Sequence, residues 1–170
     1  MRRLSLVIGA ILIGAVIYGV AIQAEAKGDP KAAIIAMENE LAAAVKAKDL
    51  EKTLSYYDMS DKLLLFDAIP PRQYLGADAV RKDFKGFYDM FPGPINYELT
   101  DLEVTADGRL GFAHSIQHVS GAGKDGKQVD MTFRVTDCLR KIGGKWKIVH
   151  QHISFPVDMA TGKADMQSKP

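Results

Sequence analysis

The stretch from Arg134 to Ser154, RVTDCLRKIGGKWKIVHQHIS, decides the fold. On either side of Gly143-Gly144 the residues run in strand-like segments, KQVDMTFRVTDCLRKI (127–142) before and KWKIVHQHISF (145–155) after. Two such segments joined by a glycine pair read as an antiparallel hairpin. The same grammar continues upstream. NYELTDLEVTADG (96–108) alternates and turns at Asp107-Gly108, RLGFAHSIQHVS (109–120) follows, and a glycine-rich turn spans 121–126. GAGKDGK (121–127) lacks the Gly-Lys-Ser/Thr ending of a phosphate loop and lies between strands, so it reads as a turn. Four successive strands with short turns predict an antiparallel meander.

The first half of the chain has a different period. Ile34, Met37, Leu41 and Val45 recur every three or four residues, which predicts a helix over 31–48, capped by Asp29 with Pro30 at its first position. KDLEKTLSYY (48–57) predicts a shorter helix capped by Asp49, with Leu50, Leu54 and Tyr57 inward. KLLLFD (62–67) is a short strand ended by Ile69-Pro70-Pro71. GADAVRKDFKGFYDMF (76–91) predicts a third helix with Ala79 or Val80, Phe84, Phe87 and Phe91 along one stripe, broken by Pro92-Gly93-Pro94. Helices followed by a meander define an α+β fold: one curved antiparallel sheet wrapped around three helices, cone-shaped, with a pocket between sheet and helices.

The ends carry different information. Arg2 and Arg3 precede an uncharged run of 19 residues, Leu4 to Ile22, and then Ala24-Glu25-Ala26. That order is the pattern of a secretory signal peptide cleaved after Ala26; the alternative is an uncleaved N-terminal membrane anchor. Export to the periplasm or medium is the expected destination. Without residues 1–26 the charge balance changes from 22 basic and 21 acidic residues to 20 of each. A chain that close to neutrality has no field for nucleic acid or an acidic membrane surface. Cys138 is the only cysteine, which excludes an internal disulfide and a cysteine-rich zinc site, and it reads as a small core residue. Residues 27–158 form the domain, and Met159 to Pro170 read as a loose polar tail.

KAKDLEKTLSYY, LLLFDAIPPRQYLGADAVRKDF, RVTDCLRKIGGKWKIVHQHIS and the closing PVD resemble the nuclear transport factor 2-like superfamily. Within it they are most similar to the SnoaL-like and DUF4440 branch, relatives of ketosteroid isomerase and of the calcium/calmodulin-dependent protein kinase II association domain. The resemblance spans Lys31 to Asp158 and implies the cystatin-like α+β roll, a pocket at the wide end of the cone and a homodimer. It implies no single reaction, because this superfold hosts many functions.

Candidate site residues follow from both the residue pattern and the resemblance. Asp67 ends an apolar strand at the rim of the expected pocket, where desolvation raises a carboxylate pKa and suits it to act as a general base. By resemblance it falls where ketosteroid isomerase-like proteins carry their base aspartate. The other reading is a turn-capping aspartate. The isomerase tyrosine position is taken by Leu41. His114, flanked by Ala113 and Ser115, is a proton-transfer candidate, and Arg134, between Phe133 and Val135, is either an anion-binding pocket residue or a structural ion pair. Tyr57, Tyr74, Phe84 and Tyr88 are aromatic walls or core. His150 and His152 share a face of a regular last strand with Trp146 and Ile148. With His114 and His118 they form a candidate metal set, weighed against a structural or interface role. The resemblance places them away from the cavity, which Val149, Gln151 and Ile153 line instead. No cofactor and no metal is expected. The function that follows is a small-molecule pocket for an organic acid or carbonyl ligand. The alternatives are an enzyme doing proton abstraction, isomerisation or hydration with Asp67 as base, and a histidine-ligated metalloenzyme.

Overall fold

A computed structural model of the chain describes residues 28–168. The signal-peptide reading of residues 1–26 lies outside them. Helix α1 (Pro30–Lys46) starts where Asp29 accepts a hydrogen bond from the Lys31 amide at 2.9 Å. Helix α2 (Leu50–Leu54) is capped in the same way by Asp49. After strands β1 (Leu64–Phe66) and β2 (Tyr74–Leu75) comes helix α3 (Ala77–Asp89). The meander is β3 (Asn96–Asp107), β4 (Leu110–Ala122), β5 (Gln128–Ile142) and β6 (Lys145–Ser154). At the β5–β6 hairpin both Gly143 and Gly144 have positive φ (55° and 79°), the geometry that two-residue turns need and that side chains resist.

Six strands form one sheet in the order β2-β1-β6-β5-β4-β3. The expected wrapped, cone-shaped antiparallel roll is corrected here on two counts. β1 runs parallel to β6, so the sheet is mixed. It is also open, with β2 and β3 as its two edges and no ladder joining them, so it is not closed around the helices. Period-two patterning reports which side chains face inward, not the direction or partner of a strand. β1 reaches β6 only through a long connection containing α3 and the other meander strands, which permits the parallel pairing that a tight hairpin forbids.

The helices cover one sheet face. Ile34, Met37, Leu41 and Val45 of α1 join Val104, Val119, Val135, Leu139 and Ile148 of the sheet in one buried cluster. Each fully buried side chain of this size contributes roughly 1.5–3 kcal/mol. Helix α1 comes close to the sheet at Gly111, where a Cβ would lie 2.9 Å from Ile34 Cδ1 and 3.1 Å from the Thr105 carbonyl oxygen. Two bulges change strand parity. In β3 the register shifts between Thr100 and Glu103, so inward positions move from Tyr97 and Leu99 to Val104 and Ala106. In β6 it shifts opposite Cys138 and Leu139, leaving Val149 as the extra residue. Trp146 and Ile148 therefore face inward together with Gln151 rather than with the two histidines.

Residues 157–166 are tied back to the domain. β7 (Val157–Asp158) and β8 (Lys163–Ala164) form a small hairpin, and the Thr132 amide donates to the Met166 carbonyl at 2.7 Å. Among the described residues no helix is long and apolar enough to cross a membrane.

Candidate functional site

A cavity of about 590 Å³ lies between α1, α3 and the inner sheet face. The helical periods put Leu41 and Val45 on one wall and Phe84 and Phe87 on another, while Met131, Phe133 and Ile153 close it from the sheet. Tyr57 meets Phe84 edge-on with ring centroids 5.3 Å apart. Ala164 and Met166 add apolar surface from the C-terminal segment.

Against these walls stands a group of buried polar side chains. Tyr57 donates to Gln151 Oε1 at 3.1 Å, and Gln151 donates to Asp137 Oδ1 at 2.9 Å. Tyr97 donates to Gln117, which donates to Ser115 at 3.1 Å. Glu38, 1% exposed, enters from α1, and its Oε1 has no hydrogen-bond partner. Burial raises the Glu38 pKa strongly, and the nearby Asp137 raises it further. Burial likewise pushes Asp137 up to about 7, against the opposing effect of the Gln151 hydrogen bond. Tyr57 and Tyr97 are pushed well up by burial and by the same carboxyls.

A second acidic pair lies on the cavity wall nearer solvent. Asp67 follows β1 and accepts the Ala68 amide hydrogen at 2.6 Å, and Asp83 of α3 stands beside it on the cavity wall. Two neighbouring carboxyls resist ionising together, so each raises the cost of the other's charge. Burial raises Asp67, tempered by the Ala68 amide. Burial and the neighbouring Asp67 charge push Asp83 up to about 7. Tyr74 stands beside the pair, its hydroxyl pushed up to about 12 by desolvation and by Asp83, and it donates to the Pro70 carbonyl at 3.1 Å.

Asp67, Tyr57, Tyr74 and Gln151 from the sequence reading thus converge on one cavity, with Leu41, Phe84 and Ile153. Tyr88 does not join them: it is buried between helices, 2.6 Å from Thr53 Oγ1. Arg134 is exposed on the outer sheet face and donates to the Phe155 carbonyl at 3.1 Å. Its apolar sequence neighbours face the opposite way, so Phe133 and Val135 are buried because Arg134 is not. His114 is also on the outer face and exposed. His150 donates from Nδ1 to the Leu64 carbonyl at 2.8 Å, and both it and His152 pack edge-on against Phe66. His118 pairs with Asp130 at 2.8 Å. Among the described residues no three His, Cys, Asp or Glu side chains are grouped to hold a metal ion. Val149, expected in the cavity, is displaced by the bulge, and Cys138 is partly exposed on the outer face, in register with His150.

The residues that the sequence reading passed over carry a legible signal. Glu38 lies four residues after Ile34 and three before Leu41, inside the apolar stripe of α1. Asp137 continues the inward series Phe133, Val135, Leu139 of β5, and Asp83 lies between Val80 and Phe87 on α3. An acid at a core position of the correct period is the mark of a buried functional or structural carboxyl.

The model of the SnoaL-like domain matches residues 34–158. No curated protein matches the chain. Among solved structures, an NTF2-like protein of unknown function from Pseudomonas putida KT2440 is 30% identical, with a TM-score of 0.73 over 82% of this chain and 96% of the other. The calcium/calmodulin-dependent protein kinase II association domain-like protein of Xanthomonas campestris is 19% identical, with a TM-score of 0.61 over 71% of this chain and 84% of the other. A ketosteroid isomerase-like protein from Erwinia carotovora atroseptica is 18% identical, with a TM-score of 0.63 over 75% and 96%. At those two identities the likeness is one of fold. With the domain model covering most of its length, the chain belongs to the SnoaL-like family of the NTF2-like superfamily.

Proposed function

We propose that this SnoaL-like domain binds a small, predominantly apolar molecule between α1, α3 and the sheet. The observation that carries the reading is an apolar cavity of about 590 Å³ into which a few buried, convergent polar groups project. Cavities of roughly 300–1,000 Å³ with such a lining are the usual form of ligand sites. Of the two ligand classes the sequence suggests, a small acid lacks its anchor, because Arg134 faces outward and the buried ionisable groups inside are acidic. A carbonyl compound meets no such repulsion. Titration with Nile red, a neutral apolar dye, tests the reading. Saturable binding is expected, and Leu41→Trp, which overfills the cavity from α1, should weaken it by roughly tenfold while the domain still melts cooperatively. Unchanged affinity in that variant places the dye elsewhere and removes the cavity as the binding site.

A second reading, proton transfer on a carbonyl ligand, is favoured by the Asp67–Asp83 pair. A carboxylate on an apolar wall with an elevated pKa is suited to take a proton from the carbon next to a carbonyl and to return it to a neighbouring position. The test is deuterium uptake at that carbon of a cyclic ketone in D₂O. Exchange above the buffer rate that drops in Asp67→Asn supports the reading, and exchange indifferent to both Asp67→Asn and Asp83→Asn ends it.

A further inference from the structure

At the inner end of the cavity a carboxyl oxygen stands without a donor. Both phenol hydrogens there are already donated, from Tyr57 to Gln151 and from Tyr97 to Gln117, so the tyrosines have only lone pairs left to offer. Glu38 adds a carboxyl that is 1% exposed, lines the cavity and leaves Oε1 without a donor. A buried acceptor with no partner is rare in folded proteins and marks the place of a missing donor. The charges agree with the hydrogen bonds. Asp137, 2% exposed, lies close enough to Glu38 for the two to repel when ionised. Among the described residues lining the cavity, Lys82 is the only cation, and it belongs to the exposed side of α3. The rings of Tyr57, Phe84 and Tyr97 line the same cavity.

We propose that the inner end of this cavity is a cation site, taking the protonated amine of a ligand whose apolar body fills the remaining space. The assignment rests on the cavity being the binding site, and it names the ligand class. The ammonium places an N–H on Glu38 Oε1 and sits in the field of Asp137. Neither partner of that field is a guanidinium or lysine, so a carboxylate of the same shape meets two acids and no counter-charge. The titratable groups facing Glu38 are Asp137 from β5, Tyr97 from β3 and Tyr57 from the segment after α2. All are acids, and the arriving cation draws Glu38 into its carboxylate form, which sends one proton from Glu38 to solvent.

Three probes of one shape test this on the full domain: adamantylamine, adamantanol and adamantanecarboxylate, each displacing Nile red and each measured by calorimetry. The amine should bind at least roughly tenfold more tightly than the alcohol, the effect of one charge-assisted hydrogen bond, with the carboxylate weakest. Calorimetry at neutral pH in two buffers of different ionisation enthalpy should show proton release with the amine and none with the alcohol. Glu38→Gln should remove the preference for the amine over the alcohol, while Arg134→Gln leaves all three as they are. Equal binding of amine and alcohol, preference for the carboxylate, or an amine preference that survives Glu38→Gln overturns the cation site while the cavity remains a binding site. Failure of the dye and all three probes to bind overturns both. The comparison of probes on the wild-type chain needs no variant to fold.

Discussion

Gln151 joins Tyr57 to Asp137, accepting the phenol hydrogen at 3.1 Å and donating its own amide hydrogen to Oδ1 at 2.9 Å. One side chain thereby satisfies two others that are 3% and 2% exposed. Replacing it with leucine keeps the volume and leaves Tyr57 and Asp137 without that partner. Gln151→Leu should destabilise the domain by about 2–4 kcal/mol, read from urea unfolding. A loss under about 0.5 kcal/mol, the size of an ordinary surface change, means that the chain is not held by this relay.

The buried acids give stability a definite pH dependence. Glu38, Asp137 and Asp83 all have raised folded-state pKa values, the last two at about 7. Between the ordinary carboxylate range near pH 4 and about pH 7 the folded chain therefore holds protons that the unfolded chain has released. Stability falls as pH rises through that window, with a slope of up to about 1.4 kcal/mol per pH unit for each group. Thermal melts at pH 5 and pH 8 should show the higher melting temperature at pH 5, and Glu38→Gln should flatten the difference. A domain more stable at pH 8 contradicts the assignment.

Asp67 and Asp83 should titrate as a linked pair. Burial and the charge on Asp67 both raise Asp83, so Asp67→Asn should lower the Asp83 pKa from its value of about 7. Carboxyl carbon shifts followed by NMR give the answer. An Asp83 titration that does not move in the variant separates the two groups and weakens the proton-transfer reading.

Arg134 provides the contrasting case. It is exposed on the sheet face opposite the cavity, where its guanidinium donates to a backbone carbonyl, that of Phe155. Arg134→Gln should change stability by less than about 0.5 kcal/mol, as surface substitutions do, and leave dye affinity unchanged. A tenfold loss of affinity in a fluorescence titration means that the arginine reaches the ligand after all.

The elements were legible because each rests on local signals: Asp29 and Asp49 as caps, Gly143-Gly144 as a turn, the three-and-four period of α1. The sheet was harder to read. Nothing in Leu64, Leu65 and Phe66 states that they pair parallel to β6, since that partner lies more than eighty residues away. Bulges hide parity as well, and the one at Val149 separates Trp146 and Ile148 from His150 and His152 although a regular strand would join them. The site was half legible. Asp67, Tyr57, Tyr74 and Gln151 were found from strand ends, aromatic spacing and resemblance, whereas Glu38, Asp83 and Asp137 sit among apolar residues at inward-facing positions. A histidine pair draws the eye, but an acid inside an apolar stripe holds the stronger information about a cavity.

The central claim is that ligand enters between α1, α3 and the inner sheet face. Methyl-labelled NMR with adamantanol tests it most directly, because leucine, isoleucine and methionine methyls report both faces of the sheet. Leu41, Leu99, Met131 and Ile153 line the cavity, while Leu110 and Ile116 lie on the outer side. Saturable shifts at the cavity methyls, these four among them, are expected, with Leu110 and Ile116 still. Shifts centred on Leu110 and Ile116, with the cavity methyls still, would contradict the account.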